Sequence, residues 1–366
     1  SFAGFLGSIF SLIPVIGRYI CALADKIAEP FLGLLLYLAE YTAHLQNAVK
    51  YPPKPDILTI IIFYTMLLTL FLCMKNNFSV KKQNISVAIL VLTLLLLVFK
   101  GHLIPNRNLE LLFFDVGEGD AILMKTPQNS YMMVDTGPHG RYNPAQMAIV
   151  PYFRAKGIKK LDAVLLTHPD SDHIGGTLHI LQYINVEKVL HNGVNKETKT
   201  YRALNEYISR NNLNKAVVGD GDVINIDEKV KIHVIRPDNT DPRSDNEDSL
   251  ILYITYGNFS ALLMGDCEAE SLKFLKRVVK PPVTLLKVGH HGSDNSVNDE
   301  FLSFINPEIA VISVGNKFYR TKHPHPEVIW WLEDFNTRIL RTDKDYAVKI
   351  STNGDKLGVK TFREGF

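Results

Sequence analysis

Thr167-His168-Pro169-Asp170-Ser171-Asp172-His173-Ile174-Gly175-Gly176 follows directly on the apolar run Ala163-Val164-Leu165-Leu166. A short apolar run that ends in a Pro-containing polar cluster is expected to be a buried strand feeding a loop. The glycine pair lets the backbone turn tightly, into a helix N-terminus. His168, Asp170, Asp172 and His173 stand at i, i+2, i+4 and i+5, so such a loop can aim them at two adjacent points. Divalent metals take imidazole nitrogen and carboxylate oxygen as ligands. The plain alternative is a polar surface loop that happens to hold His and Asp. The rest of the chain argues against it.

From Leu109 onward strand and helix patterns alternate. Strands are expected at 109–116, 121–125, 131–134, 163–166, 186–190, 216–218, 231–235, 249–256, 260–264, 283–288, 309–314, 338–340, 347–351 and 359–362. Helices are expected at 144–156, 178–184, 201–210, 269–278, 298–305 and 326–335. Strands mixed with surface helices imply a layered α/β architecture. Polar clusters fall at strand ends: Asp135-Thr136-Gly137, His168 to His173, Asp266, and His290-His291. Each alone reads as a turn. In this order they suit a metal site gathered along one edge of a β-sandwich.

Before Leu109 the chain changes character. Hydrophobic residues make up 46% of the 366 residues, and the excess lies in roughly the first hundred. Residues 1–49 carry sparse charges and are divided by Pro14 and Pro30, which suggests amphipathic or bundle-packed helices. Ile57 to Met74 is an uncharged run long enough to span a hydrocarbon core, and a second span is expected at about 85–101. Residues 1–104 are therefore assigned to a multi-pass membrane region and 105–366 to a separate domain. The connector holds Lys75, Lys81 and Lys82 and no acid, which favours the cytoplasm for the connector and the outside for the domain. The chain starts at Ser1 within an apolar run, as expected of a piece of a longer protein. Net charge is +2, so no global field marks a nucleic-acid binder. Three cysteines form no CxxC pair and no disulfide framework.

The series Phe114-Asp115-Val116-Gly117-Glu118-Gly119-Asp120, Asp135-Thr136-Gly137, Thr167 to Gly176, Asn246 to Leu250, Gly265-Asp266-Cys267-Glu268, Leu286 to Ser293 and His323-Pro324-His325-Pro326 resembles the metallo-β-lactamase superfamily. More closely, it is similar to the C-terminal domain of ComEC-type competence proteins, which import DNA. The preceding membrane piece is similar to the end of that family's channel domain. The resemblance implies an αββα sandwich holding one or two divalent metal ions. His168, Asp172 and His173 are the implied ligands, Asp266 the bridging carboxylate, and one of His290 and His291 the last ligand. His291 is assigned to the metal and His290 to catalysis, although the sequence does not separate them. Asp135 is the implied carboxylate behind a ligand histidine.

Three positions depart from the superfamily pattern. Asp170 stands where a second histidine is usual, a third histidine is replaced near Asn246, and Glu118 replaces a usual glutamine. More oxygens and fewer imidazoles weaken the first metal position and shift the metal from Zn²⁺ toward Mn²⁺ or Mg²⁺. Asp170, Asn246, His290 and His323 make up the candidate catalytic set. Lys317, Tyr319, Arg320, Lys322, His323 and His325 form a basic, aromatic run suited to phosphate and a stacked base. The reading that follows is a membrane-anchored nuclease or phosphodiesterase that hydrolyses the non-imported DNA strand with a metal-activated water. Its implied partners are DNA, the lipid bilayer and other parts of a DNA-uptake channel. The alternatives are a DNA-guiding domain that does not cut, and a metallohydrolase on another phosphoester or a β-lactam.

Overall fold

The computed structural model describes residues 29, 32–34, 36–37, 55, 57–74, 85–95, 107–140, 143–237, 246–315 and 322–364. The chain divides into two compact units, residues 1–52 and 53–366. Helix α1 (Ile57–Met74) occupies the first expected span. Its 18 residues reach about 27 Å at 1.5 Å per residue, close to but under a hydrocarbon core of about 30 Å. Residues 85–95, within the second expected span, form helix α2. Among the described residues no helix is long and apolar enough to cross a membrane, so neither expected span is established.

Among the described residues the strands after Leu109 build two large sheets. The first has eight strands in the order β17 (Leu357–Thr361), β16 (Val348–Thr352), β1 (Leu109–Phe113), β2 (Ile122–Lys125), β3 (Tyr131–Val134), β5 (Ala163–Leu166), β7 (Val189–His191) and β8 (Lys215–Val217). The second has seven: β15 (Arg338–Arg341), β14 (Ile309–Ile312), β13 (Leu285–Lys287), β12 (Phe259–Leu263), β11 (Ile251–Tyr256), β10 (Lys231–Ile235) and β9 (Val223–Ile224). A small third sheet pairs β4 (Lys160–Leu161) with β6 (Asn185–Val186). β1 runs antiparallel between β2 and β16, with Leu111 opposite Met124 and Ile350. β3, β5, β7 and β8 are parallel, as are β12 to β15. Parallel neighbours need crossovers, and helices supply several of them.

The strand period of two sets the layers. Leu109, Leu111 and Phe113 face inward and pack with Ile232, Leu252 and Leu285 of the second sheet. Their neighbours Leu112 and Phe114 face outward, against Phe153 of α3 (Val150–Lys156). Between β5 and β7 come α4 (Ser171–Ile174) and α5 (Thr177–Tyr183), and Ile174 and Ile180 join the same outer layer. So does Leu204 of α6 (Lys199–Arg210). On the far side, Leu262, Leu286 and Ile312 pack against Phe274 of α7 (Leu272–Leu275), Phe301 of α8 (Asp299–Ile305) and Leu332 of α9 (Pro326–Asp334). This is the expected αββα sandwich.

Local departures have local causes. The helix expected over 144–156 is a π turn, Ala145–Ile149, that passes into α3. Pro151 lies at the start of α3, and its missing N–H interrupts the regular ladder. The helix expected over 269–278 is a 3₁₀ turn, Ala269–Ser271, followed by the single turn of α7. β1 stops at Phe113 because the backbone leaves the sheet for the Gly117-Glu118-Gly119 loop. Short β4, β6 and β9 carry too few residues to show a period.

Candidate metal centre

The polar clusters converge at the ends of the strands that precede them. Asp135 follows β3, Thr167 and His168 follow β5, and Asp266 lies just beyond β12. Residues 289–292 form a turn just after β13. Asp172 and His173 sit on the one turn of α4, which is held close to the loop before Asp120. At Gly119 (φ +132°) a Cβ would collide with the Asp172 carbonyl, so only glycine permits the approach.

Asp172, His173, Asp266 and His291 bring one ligand atom each to within 4.8 Å of one another. His173 Nε2 lies 3.2 Å from Asp266 Oδ2 and 3.8 Å from Asp172 Oδ2. His291 Nε2 lies 3.4 Å from Asp172 Oδ2 and 3.6 Å from Asp266 Oδ2. His168 Nε2 stands 3.8 Å from the same Asp266 oxygen. Among the described residues, His168 Nε2, His173 Nε2, His291 Nε2 and Asp266 Oδ1 are buried with no hydrogen-bond partner. Leaving such atoms unpaired costs about 1–3 kcal/mol each. Two imidazole nitrogens and two carboxylates gathered this closely fit a divalent ion, whereas His168, an implied ligand, reaches only the Asp266 oxygen and stands outside the quartet.

The far side of each ring is fixed. His173 Nδ1 bonds Asp135 Oδ2 at 2.8 Å, so the proton belongs on Nδ1 and Nε2 is left for a ligand. Asp135, at φ +56°, also accepts from the Thr167 backbone N–H at 2.8 Å and its hydroxyl at 2.7 Å. His291 Nδ1 donates to the Ser313 carbonyl at 3.0 Å. His168 Nδ1 is 3.1 Å from both the Thr167 and Ser249 hydroxyls, and Ser249 Oγ also accepts from the Asp266 N–H.

Burial and then the neighbouring His173 push His168 down to about 4. Burial also acts to lower His173 and His291. The Asp266 carboxylate outweighs it, helped by Asp135 and Asp172 respectively, and both rings rise above the ordinary imidazole range. Burial likewise opposes ionisation of Asp172 and Asp266, but the surrounding histidines hold both below the usual carboxylate range.

The structure places His291, not His290, in this group. His290 turns aside: its Nδ1 meets Glu268 Oε1 at 2.9 Å, which raises its pKa, and its Nε2 is 3.2 Å from Asn246 Nδ2. Asp170 is not drawn in either; Lys196 Nζ holds its Oδ1 at 2.5 Å. The His323 ring is 5.6 Å from that of His290, and burial lowers its pKa. The His325 backbone N–H donates to the Gly292 carbonyl at 2.8 Å. Lys322 is exposed, while Lys317, Tyr319 and Arg320 lie outside the described residues. Sequence reasoning gave no role to Glu268, Ser249, Asp120 or Lys287. The signal for Lys287 was visible: it is the lone charge in the mostly apolar run Val283 to Val288.

The profile of the metallo-beta-lactamase superfamily matches residues 114–316. ComE operon protein 3 of Bacillus subtilis is 32% identical over 314 residues, covering 81% of this chain and 39% of its own length. Recombination protein 2 of Haemophilus influenzae is 28% identical, covering 83% of this chain and 36% of its own. Competence protein ComA of Neisseria gonorrhoeae is 28% identical, covering 72% and 35%. The chain thus spans little more than a third of these relatives.

Proposed function

Because the chain belongs to the metallo-beta-lactamase superfamily and is similar to ComEC-type competence proteins, we propose that it is a metal-dependent nuclease of a DNA-uptake protein, hydrolysing phosphodiester bonds of the strand that is not imported. Divalent-ion binding and hydrolase chemistry belong to this fold and its donor set. DNA as substrate is the further step. The observation that carries the reading is the quartet Asp172, His173, Asp266 and His291, whose ligand atoms lie within 4.8 Å of one another and whose two imidazole Nε2 atoms are buried with no hydrogen-bond partner among the described residues. A bound divalent ion supplies an activated water and charge stabilisation there.

The chain's own residues supply the rest. Asp266 and Asp172 hold the charge of the site from two sides. His290, tied to Glu268 and outside the quartet, is placed to donate a proton to a leaving oxygen. Asn246 steadies its other nitrogen. His323, beside His290, offers a further contact for a phosphate.

Membrane attachment is part of the proposal. Ile57, Ile61, Phe63, Leu68 and Phe71 on α1 are more than half exposed, as are Ile85, Val87 and Leu92 on α2, with no charge among them. Apolar surface of that extent favours lipid over water. The lysines at 75, 81 and 82 support an orientation with the intervening segment in the cytoplasm and the domain outside.

A second reading has its own support. Asp170 is bound by Lys196 and Asn246 by His290, so the first metal position lacks two of its donors. A domain that guides DNA without cutting fits that arrangement. The test is to incubate the chain with labelled single- and double-stranded DNA under Mn²⁺, Zn²⁺, Mg²⁺ or chelator, beside an Asp172→Ala, His173→Ala control. Metal-dependent cutting lost in the control supports the nuclease. Binding without cutting under every metal supports the guide.

A further inference from the structure

Next to the quartet, and sharing His173 with it, lies a second cluster whose Asp120 the chemistry above does not use. Asp120, Asp135 and His173 also bring ligand atoms to within 4.8 Å of one another, and all three are buried. Asp120 Oδ1 has no hydrogen-bond partner among the described residues. By donor type alone this group could hold a cation. Lys287 is already there. Its side chain is fully buried at the end of β13, its Nζ pairs with Asp120 Oδ2, and the same Nζ donates to the Gly265 carbonyl at 3.0 Å.

We propose that Lys287 is a positioning residue for the metal centre: its ammonium is the built-in cation of the second cluster, which keeps Asp120 away from His173 and so keeps His173 turned toward the metal. Asp120 Oδ2 is 4.0 Å from His173 Nδ1, whereas Asp135 holds that nitrogen at 2.8 Å. Two carboxylates compete for one N–H, and Lys287 settles the contest by occupying Asp120. Without the ammonium, a buried carboxylate is left with no counter-charge. It then pulls the His173 proton toward itself, or draws a divalent ion away from the quartet. Either event misdirects Nε2. The second hold, on the Gly265 carbonyl, fixes the residue immediately before Asp266. One ammonium therefore steadies two of the quartet's four donors.

The inference rests on the reading that the quartet binds a divalent ion, and the test separates the two. Mn²⁺ is titrated calorimetrically into the full chain as wild type, as Lys287→Met, and as the double variant Asp120→Asn, Lys287→Met, each first shown to be folded by circular dichroism. Methionine keeps the length of the side chain and removes the charge. The double variant removes both charges, and replacing a buried pair in this way is often neutral for stability. Lys287→Met is expected to bind at least tenfold more weakly, and the double variant to recover at least half of that loss on a logarithmic scale. With the proton on Nδ1 throughout, histidine ring ¹⁵N shifts should show the His173 Nδ1–H hydrogen bond altered in the single variant and restored in the double. A merely structural lysine would lower the melting temperature without moving those shifts. If wild type binds and folded Lys287→Met binds within tenfold of it, the inference fails. It fails too if the double variant recovers less than half of the loss. If Lys287→Met does not fold, Asp120→Ala answers in its place: removing the competing carboxylate must leave binding within tenfold of wild type, and a larger loss overturns the inference. Wild type that binds no Mn²⁺ overturns the metal reading itself.

Discussion

Asp135→Asn is the sharpest perturbation of the site, because it changes one atom and almost nothing else. Asp135 sits at φ +56°, a left-handed conformation that asparagine tolerates well, so the backbone is unaffected. Its Oδ1 takes the Thr167 backbone N–H at 2.8 Å, and an amide oxygen can do the same. The amide NH₂ must then replace Oδ2, which now receives the Thr167 hydroxyl at 2.7 Å and His173 Nδ1 at 2.8 Å. A hydroxyl can reverse and accept. The imidazole cannot do so without moving its proton to Nε2, the nitrogen that lies 3.2 Å from Asp266 and faces the other ligand atoms. The variant therefore carries a proton where a metal lone pair is needed. A hydrogen bond to a charged group contributes about 1.5–3 kcal/mol. Disturbing the carboxylate behind a ligand histidine weakens metal affinity about 10- to 100-fold, or about 1.4–2.8 kcal/mol. Calorimetric titration of Mn²⁺ or Zn²⁺ into folded wild type and variant reads the difference directly. Affinity within threefold of wild type would falsify the tautomer argument.

Three further outcomes are expected. Glu268→Gln loosens the acceptor that holds His290 and should lower DNA cleavage by tenfold or more while metal affinity stays within a factor of about three; equal losses in both would place His290 among the ligands. Elemental analysis of the purified chain should find one tightly held divalent ion, since Lys196 occupies Asp170; a second tight equivalent would mean that Asp170 leaves its lysine. His191, half-buried on β7, is held down to about 4 by burial and then by Lys215, below an unfolded value near 6.5. A depressed histidine favours the folded state above the unfolded pKa, and that contribution disappears as pH falls from about 6.5 through 4. Thermal melts across this window should fall less steeply for His191→Asn than for wild type; parallel slopes would refute the assignment.

How much of this was legible depended on whether a residue's role was carried by pattern or by partner. The four layers were, because Leu109, Leu111 and Phe113 alternate with Leu112 and Phe114 on the two faces of one strand, and period two survives in sequence. The convergence of the polar clusters was too, because each closes an apolar strand and a loop at a strand end is where side chains can converge. What sequence does not encode is the direction in which a polar side chain turns once neighbours arrive from distant strands. His290 and His291 are adjacent and chemically identical, yet both have φ between +43° and +52°, and that tight turn sends one ring to Glu268 and the other to Ser313. Asp170 sits in the middle of the metal motif, but its partner is Lys196, 26 residues onward and beyond β7, where no spacing rule reaches. The same is true of Lys287. A charge inside a buried strand is visible as an anomaly, and desolvation says that it must be paired. Only the structure names Asp120, from a loop some 167 residues earlier, as the carboxylate it meets. A cation with no partner in its own strand thus finds its counter-charge once Asp120, Asp135 and His173 are brought together beside the quartet.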